Sequence, residues 1–255
     1  RLGPHAPYTC PGDKLKEIVD AAKKLKTGIH IHVSETKEQV EESMRLTGKT
    51  PIEVLYESGG FDIDVIIAHG LWTTREDLSY ISDKAVFAFS PKTYMKLSMG
   101  HGNIYELKNK INYSFGTDGA ASSNTLSPLE QARLFALNGK FISGNATAFE
   151  TKEIWRQLMN GHDALKFNTG KIDEGREADL LIWNLDAVNT FPVYDPLTSI
   201  IYSSDASNIK YTMVQGEFLK YGGILKADIR SIISKAGEIQ KEILERGKGK
   251  RKVSY

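Results

Sequence analysis

The stretch Gly28-Ile-His-Ile-His-Val-Ser-Glu-Thr-Lys-Glu-Gln39 decides the fold. Its first half is short, β-branched and alternating, which predicts a strand over 28–33. In its second half Thr36 stands three residues before Gln39, the S/T-x-x-E/Q pattern in which the two side chains satisfy the free N–H groups of a helix start. A strand running straight into a helix is one βα unit. Upstream, residues 14–26 place Leu15, Ile18, Val19, Ala22 and Leu25 at helical spacing, so that one face is apolar. Downstream the unit recurs. The run 65–68 is too short and too β-branched for a helix, and Thr73 with Glu76 supplies a capping box beyond it. Residues 85–89 predict a third strand and 112–115 a fourth. After these, Ser127, Pro128 and Glu130 make a further helix start. Strands alternating with helices predict a parallel sheet.

From residue 169 the pattern changes. A Gly-punctuated turn at 170–175 leads into an apolar strand at 178–183, and YTMVQGEFLKYGG reads as a hairpin turning at Gln215-Gly216. Residues 229–244 are amphipathic and predict a terminal helix, and GKGKRK after it is a basic tail whose ordinary role is a solvated end. The expected division is therefore 1–168, 169–225 and 226–255. Over the whole chain 33 Lys and Arg balance 32 Asp and Glu among 255 residues, so no global field holds nucleic acid or an anionic membrane. The single cysteine, Cys10, cannot form an internal disulfide, and no run reaches the roughly 18 apolar residues of a membrane span. These features predict a cytoplasmic protein acting on a small molecule. Residue 1 is Arg and no signal-like segment follows, so the chain reads as processed or cut.

His32 with Glu35, His69 and Asp118 each fall at the C-terminal end of a predicted strand. In parallel α/β folds that rim is where ligands bind. Intervals of 37 and 49 residues between His32, His69 and Asp118 suit a metal site whose ligands come from different strands. Imidazole and carboxylate donors suit zinc or ferrous iron, and a neighbouring carboxylate, Glu35 or Asp118, could take a proton from a metal-activated water. The ordinary role of any one such histidine alone is a hydrogen-bonded strand end. His101 and His162 predict surface or capping roles, Trp155 and Trp183 core positions, and Trp72 a pocket wall or packing.

In order along the chain, GPHAPYTC (3–10), IHIHVSET (29–36), IIAHG (66–70), GTDGAASSNTL (116–126) and GKIDEGREADLLIW (170–183) resemble the successive motifs of the amidohydrolase superfamily. The branch they most resemble is the methylthioadenosine/S-adenosylhomocysteine deaminases and related chlorohydrolases. The resemblance implies a (β/α)8 TIM barrel with one divalent metal, Zn or Fe, and a metal-bound hydroxide that attacks a C=N carbon of an N-heterocycle. It implies His32 as the strand-5 metal ligand and Asp118 as the strand-8 aspartate that touches the metal and accepts the water's proton. Glu35 would shuttle a proton to the ring nitrogen. His69 would be the strand-6 histidine that orients water or binds metal, and His5 a substrate-contacting residue. The expected fold is α/β: the C-terminal part of a (β/α)8 TIM barrel (strands 4 to 8), a small β-sandwich subdomain and a C-terminal helix.

Two departures qualify this. The family's strand-1 His-x-His lies more than a hundred residues before the GPHAPY equivalent, where this chain has only five residues before Ala6, His5 among them. His30-Ile-His32 could be read as that pair, but the Ser-Glu-Thr after it fits strand 5, and His30 then fills the barrel interior one layer down. On strand 7 the chain has Phe89-Ser-Pro-Lys-Thr-Tyr94 where relatives commonly carry His-Asn-Pro-x-x-Asn, which leaves the leaving group open; Lys92 there could contact an anionic substituent, though its ordinary role is a solvated loop lysine. The expectation is a hydrolase, a deaminase of an adenosine-type compound, with little activity and exposed strand edges unless a complementing N-terminal segment or a second copy completes it. A chlorohydrolase or cyclic amide hydrolase is the alternative enzyme, and a non-catalytic scaffold the alternative of another class.

Overall fold

In the computed structural model, which describes residues 1–247, the chain builds two separate four-stranded sheets. The first is parallel, in the order β1 (Ile29–Val33), β2 (Val65–His69), β3 (Ala85–Phe89), β4 (Tyr113–Phe115). Helix α1 (Gly12–Lys24) precedes β1, while α2 (Lys37–Thr47) and α3 (Pro51–Glu57) join β1 to β2. Two short helices, α4 (Pro91–Lys96) and α5 (Ile104–Leu107), join β3 to β4. Then come α6 (Ala120–Ser123), α7 (Pro128–Ser143) and α8 (Thr151–Leu165). The second sheet is antiparallel, in the order β5 (Leu180–Trp183), β6 (Ile209–Val214), β7 (Glu217–Tyr221), β8 (Ile224–Leu225). The three-residue α9 (Pro196–Thr198) lies between β5 and β6, and α10 (Ile229–Arg246) ends the described chain. The basic tail beyond Gly247 lies outside the described residues.

The alternation read in 28–33 is real. Ile29, Ile31 and Val33 are buried in the core with Leu15, Val19 and Ala22 of α1 and Ile52 and Leu55 of α3, while His30 and His32 take the other face. Two helix starts follow their sequence signals, and a third carries a capping box that the sequence reading did not single out. The Thr36 hydroxyl accepts from the Gln39 N–H, Ser127 from the Glu130 N–H, and Thr50 with Glu53 closes a full capping box. After β2 the box sits one residue later than expected: Thr74 and Asp77 cap each other's N–H groups, because Thr73 is fully buried beneath the turn at Gly70. Leu25 is exposed because α1 ends at Lys24.

The parallel sheet does not close. A single bridge, Leu2 to Ile29, stands where a fifth strand was expected. Residues 2–5 hydrogen-bond along β1, and α8 lies against β4, with the Ser114 hydroxyl donating to the Gln157 carbonyl and Asn160 to that of Tyr113. The expected sandwich is also corrected: among the described residues β5–β8 form one sheet, and a sandwich requires two facing sheets. Its β6–β7 hairpin turns at Gln215-Gly216, both at positive φ, as a two-residue loop of matching twist requires. Trp155 is partly buried and packs against the core, while Trp183 is partly exposed outside it. No described helix is long and apolar enough to cross a membrane.

Candidate active site

Strand register brings the rim residues together. β1 and β2 pair Val33 with His69, so the end of one strand stands beside the end of the next. The chain leaves both strands in the left-handed region, at Ser34 (φ 49°) and His69 (φ 68°), and leaves the β4 loop the same way at Asp118 (φ 56°). Such backbone is costly for residues with a Cβ, about 1–3 kcal/mol each, and persists where surrounding structure holds it, characteristically at ligand sites. Here it turns the chain sharply at the ends of β1 and β2 and in the loop after β4.

Gly70 shares this conformation at φ 59°, and a Cβ there would lie 2.3 Å from the Phe87 ring. Gly70→Ala is therefore expected to cost at least about 2 kcal/mol through combined strain and overlap. Urea unfolding at neutral pH measures it; an unchanged midpoint would refute the assignment.

Four of the expected site residues form a contiguous row. The His5 and His32 rings lie 5.1 Å apart between centroids, and His32 stacks on His69 at 5.4 Å. The Glu35 Oε1 is 3.7 Å from His69 Nε2, too long for a direct hydrogen bond. His32 Nδ1 donates to the His5 carbonyl at 2.7 Å, because a carbonyl can only accept, and this leaves the lone pair on Nε2. His69 is 2 % exposed, and its Nδ1 is buried without a hydrogen-bond partner among the described groups. Burial pushes the His69 imidazole below its ordinary value of 6.5, more than the Glu35 and Asp118 carboxylates push it up, so the ring is neutral at neutral pH.

That depression has a sign. In the unfolded chain His69 takes a proton below about 6.5, while the folded one resists it, so its contribution is complete above about 6.5 and is lost as pH falls toward the lower folded value. For the chelator-treated protein, the urea midpoint is expected to drop between about pH 7.5 and 5.5, and His69→Asn to flatten that drop. An equal slope in both proteins would refute it.

Asp118 completes the rim. Burial raises its carboxyl, but the Ser122 hydroxyl at 2.6 Å, the Gly119 N–H at 2.7 Å, His69 and the Thr93 hydroxyl together outweigh burial and hold it below the ordinary carboxylate value. Ser122, Thr93 and Tyr94 were not singled out from the sequence. Tyr94 is buried, accepts from the Ser90 N–H at 2.9 Å and turns its ring edgewise to His69 at 5.7 Å. A signal for Ser122 did exist, since it stands four residues after Asp118 inside a quoted motif. Lys92 is neither a solvated loop lysine nor a free contact for an anionic substituent: its ammonium is paired with Glu130 at 2.8 Å and Thr125 at 3.0 Å, tying α4 to α7. His101 and His162 bond locally, to the Gly102 carbonyl and the Thr169 hydroxyl, and Trp72 is partly buried.

In kind, these donors fit a divalent metal. A His32 nitrogen with its lone pair free, a neutral and buried His69 and an ionised Asp118 are the imidazole and carboxylate set suited to zinc or ferrous iron. Among the described residues no group of three or more His, Cys, Asp or Glu side chains converges closely enough to hold the ion unaided.

Comparison with known proteins agrees in sequence and in shape. The amidohydrolase family matches residues 1–219. The chain is 34 % identical over 251 residues to 5-methylthioadenosine/S-adenosylhomocysteine deaminase of Thermoanaerobacter pseudethanolicus, covering 96 % of this chain and 58 % of that protein. It is 36 % identical over 247 residues to 5'-deoxyadenosine deaminase of Methanopyrus kandleri, covering 95 % and 57 %. It thus spans somewhat over half the length of these curated relatives. Among solved structures it resembles a zinc-bound adenosine deaminase from Xanthomonas campestris, with TM-score 0.89 and 26 % identity over 94 % of this chain and 56 % of that one. It also resembles a zinc complex of atrazine chlorohydrolase from Arthrobacter aurescens, with TM-score 0.83 and 26 % identity over 93 % and 54 %.

Proposed function

The chain belongs to the amidohydrolase family, and from that premise we propose that its protein is a metal-dependent hydrolase that deaminates an adenosine-type N-heterocycle. The observation that carries this reading is the row His5, His32, His69 with Glu35 at 3.7 Å, set on the C-terminal rim of a parallel sheet and faced by an ionised Asp118. His32, His69 and Asp118 would hold one zinc or ferrous ion, together with donors beyond the described groups. Such a cation, when bound, supplies Lewis acidity that draws the pKa of a water toward neutrality.

The chain's own groups do the rest. Asp118, ionised at neutral pH, accepts the proton of the attacking water. Glu35 gives a proton to the ring nitrogen as the C=N carbon becomes tetrahedral. The proton held by Asp118 then leaves with the amine and the new hydroxyl returns its proton to Glu35 as the carbonyl forms, so that one water is consumed for each ammonia released. Neutral His69 orients the water, and His5 contacts the substrate. We place the barrel portion at 1–168, with the second sheet and α10 beyond it, and the protein in the cytoplasm.

Ammonia release from adenosine and its 5'-substituted analogues by the Zn2+- or Fe2+-loaded protein tests this. Chloride release from atrazine without ammonia from any adenosine derivative would move the protein to the chlorohydrolase reading that the atrazine chlorohydrolase likeness supports. Neither product from the metal-loaded protein would overturn both.

A further inference from the structure

Helix α10 carries an apolar stripe that nothing among the described residues covers. It is a well-started helix, with the Asp228 carboxylate accepting from the Ser231 N–H at 3.0 Å, yet none of its residues is buried. Ile229, Ile232, Ile233, Ile239, Ile243 and Leu244 are each 40–66 % exposed. A contiguous apolar face left in water marks an interaction surface, because an amphipathic helix gains most of its stability by packing that face.

The spacing says what kind of element covers it. Ile229, Ile232, Ala236, Ile239 and Ile243 follow one another at alternating intervals of three and four residues, the heptad pattern by which one helix packs its side chains between those of another. The charges say which helix, and in which direction. Lys235 and Glu242 each stand one residue before a heptad core position, Ala236 and Ile243, so both lie along the same flank of the stripe. When two copies of α10 pair antiparallel, that flank meets itself reversed, and Lys235 comes opposite Glu242 of the partner subunit, twice by symmetry. In a parallel pair Lys235 would meet the partner's Gln240, with no charge to match it. Both groups are open to such a partner. Among the described residues Lys235 has no ion pair, and Glu242 accepts from Arg246 through Oε2 alone, at 3.3 Å and in an exposed pair.

We propose that α10 is the interface through which two copies of this chain form an antiparallel, two-fold dimer, with Ile232 against the partner's Ile243 and Ala236 against the partner's Ile239. The dimer is independent of the reaction proposed above, whose residues stand on the parallel sheet. At 18 residues the helix is about 27 Å long, so the contact belongs with interfaces below about 1,200 Å2 and the dimer is weak and reversible.

Sedimentation equilibrium of the full chain over a range of concentrations tests this, and a reversible monomer–dimer equilibrium is expected. Ile239→Asp is expected to weaken it at least about 100-fold, since each dimer loses two apolar contacts. Because Ile239 is exposed in the single chain, the same change is expected to leave the monomer's urea midpoint where it was. Lys235→Glu and Glu242→Lys are each expected to weaken self-association by about 2- to 30-fold, the range for two surface ion pairs. An equimolar mixture of these two variants is expected to regain it, because one then offers two acids to the other's two bases. A chain that stays monomeric, an equilibrium that Ile239→Asp does not move, or a mixture that associates no better than either variant alone overturns the proposal. A monomer that instead co-sediments with phosphatidylcholine–phosphatidylglycerol vesicles, and loses this with Ile239→Asp, also overturns it and assigns the face to a membrane surface.

Discussion

Glu35→Gln is expected to leave the protein folded and its metal content unchanged while lowering kcat on an adenosine-type substrate by about 10²- to 10⁴-fold, the range for loss of a positioned acid–base group. The expectation follows from where Glu35 stands. It is partly buried, three residues past His32, with Oε1 3.7 Å from His69 Nε2 and Oε2 accepting from the Gln39 amide at 3.3 Å. Gln preserves shape and acceptor capacity but cannot give up a proton, so the substitution removes the chemistry and little else. Asp118→Asn makes the contrast. It should lower activity and metal retention together, because Asp118 is read both as a ligand and as the proton acceptor. Rates within fivefold of the parent for Glu35→Gln, with metal bound, would remove Glu35 from the mechanism.

Phe135→Ala is expected to destabilise the protein by about 3–5 kcal/mol, the cost of emptying a buried aromatic site. Phe135 of α7 is fully buried, and five other rings surround it: Tyr105 at 4.9 Å, Tyr113 and Phe115 at 5.4 Å, and Phe89 and Phe149 at 5.5 Å. Aromatic pairs at such distances add about 0.5–1.5 kcal/mol each beyond burial. One turn on, Gly139 lets the Phe149 ring approach to where a Cβ would lie 2.5 Å from it, so the cluster could not relax inward without moving α7. Since domains hold only about 5–15 kcal/mol in total, this change alone would consume much of the margin. Urea unfolding checks it, and a loss below about 1 kcal/mol would show that the cluster collapses freely. The effect should reach the site, because β3 leads into α4, which carries Tyr94, and β4 into the loop that carries Asp118.

The strands, the helix starts and the rim were legible because their signals are local. Alternation over 28–33 sorts side chains to two faces, and a hydroxyl three residues before Gln39 or Glu130 reaches the backbone it caps. His32, His69 and Asp118 could be placed on one edge from sequence because parallel strands all end on the same side. Where the reading slipped, as at Thr73 or Leu25, a turn or a helix end shifted by a residue and changed which side chain was buried.

What the linear chain determined, then, is the α/β class, the family and the identity of the chemically able residues. Only the tertiary structure decided that five rings distant in sequence enclose Phe135, that α8 covers β4, and that Lys92 is taken by Glu130. Secondary structure is written in spacings of two to four residues. Ring contacts, ion pairs and cavities depend instead on how whole elements approach one another, and no spacing along the chain encodes that distance.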